Sequence, residues 1–279
     1  MPIFQAQSIS AGYKNRGVIK DCSFSLDAGS ITGILGANGS GKTTLIKAVC
    51  GILPHKGTCT LDGTALETLS ARQLSQVCGY IPQRSGIAID IPVIDVVLMG
   101  FHASLGLLER PTASMRRSAV GALAKVGLGG YAEHNYQKLS EGQKQLCILA
   151  RTLVCDRRLL LLDEPESALD YAMRHRTLDL LRTYVRHTGG CALVALHDPI
   201  LALNACDRLL FLRDGTTAGS VSPMTDDPAE TERLLRMIYG DVRLLRVEEQ
   251  WVLLRDGKQN KESRFYNEEM RRGIQNDRS

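Results

Sequence analysis

The run Gly36-Ala37-Asn38-Gly39-Ser40-Gly41-Lys42-Thr43 constrains this chain more than any other feature. It fits the pattern G-x-x-x-x-G-K-[ST], with the apolar run Ile31-Thr32-Gly33-Ile34-Leu35 before it and a helical pattern carrying Leu45, Ile46 and Val49 behind it. Glycines at this spacing let consecutive backbone N–H groups curl around an anion at a helix N-terminus, which already favours negative charge. In such a loop Lys42 reaches the β- and γ-phosphates of a nucleotide and the Thr43 hydroxyl holds Mg²⁺. Thr44, one position on, adds a phosphate contact. From average residue frequencies, a chance match in a chain of 279 residues is on the order of 1%. The flanking strand and helix lower it further.

Short β-like runs lie at 4–9, 23–26, 31–35, 59–61, 78–81, 159–162, 191–196 and 209–212. Several are continuously apolar, as in strands buried on both faces of a largely parallel sheet. Helical patterns lie between them: 41–50 ending at Gly51, 112–126 ending at Gly127, 141 to about 155, and 171 to about 187. This alternation predicts an α/β layered fold. From Pro82 to Leu159 no long strand is evident, which predicts a mostly helical subdomain inserted at about 84–157. Segments 242–247 and 251–254 predict a hairpin around Glu248-Glu249-Gln250, and 258–279 reads as a solvated tail. The chain thus divides into a main domain, 1–240, and a C-terminal extension, 241–279.

Composition narrows the class. The balance of 34 basic against 30 acidic residues gives a net charge of +4, too mild to demand nucleic acid. Apolar runs such as 159–162 fall far short of the roughly 18–20 residues of a membrane span. The start, Met1-Pro2-Ile3-Phe4, lacks a secretory pattern, so the chain reads as cytosolic. Its 8 cysteines form no C-x-x-C and sit mostly in apolar segments, as free buried thiols of a reducing compartment do.

Two strand ends carry further chemistry. Leu159-Leu160-Leu161-Leu162 runs into Asp163-Glu164-Pro165. Beside a phosphate loop, such a strand places its Asp on the Mg²⁺ shell. Side chains alternate along a strand, so Asp163 is assigned to the metal and Glu164 to polarising the attacking water. The strand 191–196 ends at His197, where the carboxyl ends of parallel strands bind ligands. His197 is therefore expected at a γ-phosphate or the attacking water; a structural hydrogen-bonding role is the alternative. Further on, Leu139-Ser140-Glu141-Gly142-Gln143 opens a helix with a capping box, in which Ser140 and Gln143 bond reciprocally.

This ordered set resembles the ABC (ATP-binding cassette) ATPase family. Gly36–Thr43 is similar to its Walker A loop, 139–143 to its signature, 159–163 to its Walker B strand with Glu164 as catalytic carboxylate, 167–170 to its D-loop, and His197 to its switch histidine. Gln83 resembles the Q-loop glutamine and Tyr13 the aromatic that stacks on adenine. The matches run from about residue 13 to 215. Glu141 stands where the family usually has glycine, and Glu166 where it more often has threonine.

The resemblance implies a P-loop NTPase (RecA-like) core with an antiparallel β subdomain and the helical insertion. It implies ATP and Mg²⁺ as ligands. ATP contacts fall to Tyr13, Gly36, Asn38, Gly39, Ser40, Gly41, Lys42, Thr43, Thr44, Gln83, Ser140, Gly142 and Gln143; metal contacts to Thr43, Gln83 and Asp163; catalysis to Glu164, His197 and Lys42. One copy of each motif implies a head-to-tail homodimer, with the signature of one subunit completing the site of the other. Without spans of its own, the chain is expected to serve transmembrane permease subunits, and a substrate-binding protein indirectly, from the cytoplasmic face of the membrane. Residues 91–100 and 237–240 resemble importers of iron-siderophore, haem and cobalamin. An exporter ATPase and a soluble, non-transport ABC ATPase remain as alternatives.

Overall fold

A computed structural model describes residues 2–14, 16–83, 86–106 and 108–255. Its centre is a six-stranded sheet of order β10-β9-β3-β8-β7-β6: β3 (Ile31–Leu35), β6 (Cys78–Ile81), β7 (Leu159–Asp163), β8 (Cys191–Ala195), β9 (Arg208–Arg213) and β10 (Thr216–Val221). All neighbours are parallel except the β9–β10 hairpin at the edge. Every residue of β3, β7 and β8 is buried, which explains their unbroken apolar sequence. Successive side chains feed two separate cores. Leu160, Leu162, Ala192 and Val194 pack on one face of the sheet. Leu159, Leu161, Cys191, Leu193 and Ala195 pack on the other. Each such leucine contributes about 1.5–3 kcal/mol of burial.

The second core is closed by α1 (Lys42–Val49) and a four-stranded antiparallel sheet of order β2-β1-β4-β5, built from β1 (Pro2–Tyr13), β2 (Arg16–Asp27), β4 (His55–Leu61) and β5 (Thr64–Ala65). A short helix α2 (Ala71–Val77) leads into β6. Between β6 and β7 lie three helices, α3 (Val93–Leu98), α4 (Ala113–Lys125) and α5 (Glu141–Leu153), with only an isolated bridge of Pro92 to Asn135. Gly127 follows α4 in the left-handed conformation, φ 82°, as expected for its role in ending that helix. Val93, Val96 and Val97 are fully buried core of this insertion.

Arg157 ties the insertion to the sheet. Its guanidinium donates to the carbonyls of Ser75, Cys78 (3.1 Å) and Gly100 (2.9 Å), bridging the α2–β6 junction to the first helical segment of the insertion. Beyond β7 come α6 (Tyr171–Thr188), α7 (Pro199–Ala205) and α8 (Pro228–Tyr239), then the hairpin β11 (Val242–Val247) and β12 (Gln250–Arg255). That hairpin turns at Glu248-Glu249, one residue shorter than expected, because Gln250 already pairs with Val247. All 8 cysteines are free, and 7 of them are buried. No helix among the described residues is long and apolar enough to cross a membrane. The expected tail at 258–279 lies outside the described residues.

Candidate functional site

The register of the parallel sheet brings the chemistry together. Ile34 of β3 and Asp163 of β7 both pair with Ala195 of β8, so the segments that follow these three strands leave the sheet at one level. The next strand, β6, delivers Gln83 two residues after its end. Ligands bind at the carboxyl edge of such a sheet for this reason.

The glycine loop after β3 needs its glycines. A Cβ on Gly36 would lie 2.5 Å from both the Leu212 carbonyl and Ser40 Oγ. Gly39 (φ 79°) and Gly41 (φ 108°) occupy backbone space that other residues rarely enter. Gly41 caps α1 without a side-chain bond, leaving the first N–H groups of the helix to face the loop. Lys42 Nζ donates to the carbonyls of Gly36 (2.8 Å) and Ala37 (3.3 Å), which holds the ammonium across the mouth of the loop. Burial lowers its pKa, while the charges of Glu164, Asp163 and Glu166 oppose that shift. Ser40 Oγ is buried and has no hydrogen-bond partner. An orphan hydroxyl inside a nest of backbone donors fits a phosphate oxygen.

Thr43 Oγ1 donates to Asp163 Oδ1 at 2.9 Å. Burial raises the Asp163 pKa, and the Thr43 hydrogen bond partly offsets it. A hydroxyl and a carboxylate in contact beside a phosphate loop are the hard oxygen donors Mg²⁺ prefers. Glu164 sits at φ 53°, an uncommon conformation for a residue of its kind and one found where function demands it. Its buried carboxylate lies between two partners: Oε1 is 2.6 Å from His197 Nε2, and Oε2 accepts from Gln83 Nε2 at 2.5 Å.

A cleft of ≈ 520 Å³ opens over these groups, lined by Arg16, Val18, Asn38, Gly39, Ser40, Gly41, Lys42, Thr43, Thr44, Gln83, Glu164 and His197. Two other surface clefts match it in size, at ≈ 560 and ≈ 640 Å³. Convergent donors and carboxylates, rather than volume, distinguish this one. Arg16 and Val18 escaped the sequence reading. The signal was pairing: Arg16 is directly opposite Tyr13 across the β1–β2 turn, so the two share a face. Tyr13 itself stands exposed at the end of β1, outside the cleft lining.

The signature residues lie elsewhere. Ser140 and Gln143 form the expected capping box on α5, with the Gln143 N–H donating to Ser140 Oγ (3.2 Å) and the Ser140 N–H to Gln143 Oε1 (3.0 Å). Glu141 pairs with Lys144 at 2.9 Å. A Cβ on Gly142 would come within 2.9 Å of the Ala168 carbonyl, so this cap packs on the loop beyond Glu164. None of the three expected ATP contacts here lines the cleft of its own chain.

The chain's residues 19–167 match the family described as ABC transporter. It is 35% identical over 254 residues to the Hemin import ATP-binding protein HmuV of Ruegeria sp., covering 87% of this chain and 93% of that protein. It is also 35% identical to the Zinc transport system ATP-binding protein TroB of Treponema pallidum, covering 85% and 86% of the two chains. Among solved structures, an inward-facing putative metal-chelate type ABC transporter superposes with a TM-score of 0.74 at 23% identity, covering 91% of this chain and 96% of that one.

Proposed function

The chain belongs to the ABC transporter family and is an ATPase, and we propose that it is the motor subunit of an importer of metal chelates such as iron-siderophore, haem or cobalamin. The observation that carries the motor reading is the chain of contacts Gln83–Glu164–His197 over the phosphate loop. It joins the hydrolytic carboxylate to the strand end that opens the helical insertion, as coupling of hydrolysis to a partner requires. The named cargoes of relatives, hemin and zinc, support import of a metal or its chelate. So do segments 91–100 and 237–240.

In this reading the triphosphate of ATP lies on the backbone N–H groups of the glycine loop, with Lys42 on the β- and γ-phosphates and Ser40 Oγ on a phosphate oxygen. Glu164 accepts a proton from, or polarises, the attacking water, and His197 and Gln83 orient that carboxylate. Thr43, Asp163 and Gln83 would hold Mg²⁺, which neutralises phosphate charge when bound. Tyr13 stacks on the base. Ser140, Gly142 and Gln143 act on the cleft of a second copy, which their distance from their own cleft supports. Two copies then enclose two ATP molecules, and hydrolysis lets them part.

Transport requires separate permease subunits, because no described helix can span a membrane. A groove of ≈ 560 Å³ beside the insertion, with Ile52, Met99, Gly100 and His102 on its walls, offers a place for a cytoplasmic segment of the permease. The chain would sit peripherally on the inner face of the membrane, with a substrate-binding protein engaged only through the permease. The test is a pulldown of the tagged chain from detergent-solubilised native membranes, read by mass spectrometry. A stoichiometric polytopic membrane protein is expected; recovery of soluble or ribosomal partners alone would overturn the transport reading.

A further inference from the structure

Beyond its charge acting on Lys42, Glu166 has no part in the site as described so far, yet it is 3% exposed and follows the catalytic carboxylate with only Pro165 between them. Its Oε1 accepts the backbone N–H of His197 at 3.1 Å, a bond between segments 31 residues apart. Its Oε2 has no hydrogen-bond partner. A buried carboxyl with one oxygen unpaired is costly, and burial pushes its pKa up despite the His197 contact. A group that costs stability is retained where it performs a task. Its neighbour supplies the task. Residue 197 falls between the end of β8 and the start of α7, where the first N–H groups of the helix are already taken by Asp198. Glu166 is the acceptor that the His197 N–H finds there. The imidazole beyond that N–H is 46% exposed and reaches inward to Glu164.

We propose that Glu166 is a positioning residue for hydrolysis, its carboxyl pinning the His197 backbone so that the imidazole is held against Glu164 instead of turning out to solvent. The proposal rests on the reading that His197 acts in hydrolysis. Thr, the family's more usual residue at this place, has a shorter side chain than the Glu that makes this contact.

The test uses the full chain and two near-isosteric variants. Glu166→Met fills the space without an acceptor; Glu166→Gln keeps one. We expect kcat of Glu166→Met to fall about tenfold, while KM for ATP and the affinity for a fluorescent ATP analogue stay within about twofold. Glu166→Gln retains most of the wild-type kcat. The thermal midpoint of Glu166→Met is unchanged or raised, because an unpaired buried oxygen has been removed, whereas a purely structural role would lower it. In a His197→Ala background Glu166→Met costs no further turnover. If His197→Ala itself keeps wild-type turnover, the reading of the site fails. If His197→Ala loses turnover and Glu166→Met does not, or the two losses multiply, the positioning role is overturned.

Discussion

Substituting Glu164 by Gln separates charge from shape at the centre of the site. The carboxylate touches His197 Nε2 through one oxygen (2.6 Å) and Gln83 Nε2 through the other (2.5 Å). An amide of the same outline still accepts from Gln83, and its own NH₂ can donate to an unprotonated His197 ring. The backbone strain at φ 53° is the same for both residues, so it cancels between wild type and variant. Replacing a buried carboxylate by an amide removes a desolvation cost, so stability should change by no more than about 1 kcal/mol. What disappears is the base. Losing a positioned general base costs about 10²–10⁴-fold in rate, or roughly 3–5 kcal/mol of barrier. Steady-state phosphate release measures the loss, and a fluorescent ATP analogue checks that the cleft still binds. Intact binding with turnover within about fivefold of wild type would remove Glu164 from its assigned role.

Arg157→Met takes the guanidinium from the carbonyls of Ser75 and Cys78 and leaves Gly100 only the weak Cys155 thiol donor, and about 3 kcal/mol should be lost in urea unfolding; less than about 1 kcal/mol would mean water replaces the guanidinium. Burial raises the Glu166 pKa above its unfolded value, so the folded state binds the extra proton and stability falls as pH rises through that interval. Glu166→Gln should therefore raise the melting midpoint at alkaline pH, with the gain shrinking toward acid pH; a gain independent of pH would refute the assignment. Glu141→Gly removes an acidic group from the first turn of α5, beside Ser140. In a Glu164→Gln background the proposed ATP-driven dimer should then strengthen severalfold by analytical ultracentrifugation, and no change would show that the Lys144 pair already neutralises Glu141.

Continuous apolar runs made the parallel core legible: β3 and β6 begin and end where the sequence placed them, β7 and β8 differ by one residue at one end, and β9 by one residue at each end. Elements whose faces meet water were harder to read. β1 and β2 each run 12 residues, well beyond the expected 4–9 and 23–26, because their outer parts mix exposed polar residues with shifts of register. β10 reads as a polar turn, Thr216-Thr217-Ala218-Gly219-Ser220-Val221, and becomes a strand through pairing with β9 and packing of Gly219 on Leu234. The helix α2 buries no residue fully and packs only Leu74 and Val77 on the core, too few to show a helical period. Within the site, the loop and Asp163-Glu164 announce themselves through local spacing. The contacts of Glu164 with Gln83 and His197 join segments far apart in the chain; His197 is placed at the site by its strand end, and Gln83 by the resemblance alone. Nothing local to Glu166 signals its burial, which is a property of the assembled sheet edge.

That sheet edge also explains how the signature cap, outside its own cleft, remains mechanically close to the reaction. From Glu164 to α6 the chain is a closed turn: the Ser167 N–H bonds to the Glu164 carbonyl (3.2 Å), the Leu169 N–H to the Glu166 carbonyl (3.0 Å), and Asp170 caps α6 through the Met173 N–H (2.8 Å). Two backbone hydrogen bonds and a side-chain cap thus brace this turn. One end of it carries the carboxylate on which Gln83 and His197 converge, and its middle supplies the Ala168 carbonyl against which Gly142 packs so closely that a methyl group would not fit without movement. The α5 N-terminus is therefore in contact with the same braced turn that carries Glu164 at its start. Glycine at 142 is required by that approach to Ala168, whether or not a second copy is present, while Ser140 closes the exposed helix end with Gln143. The same few residues thus serve two demands, close packing within the chain and a capped helix end exposed at its surface.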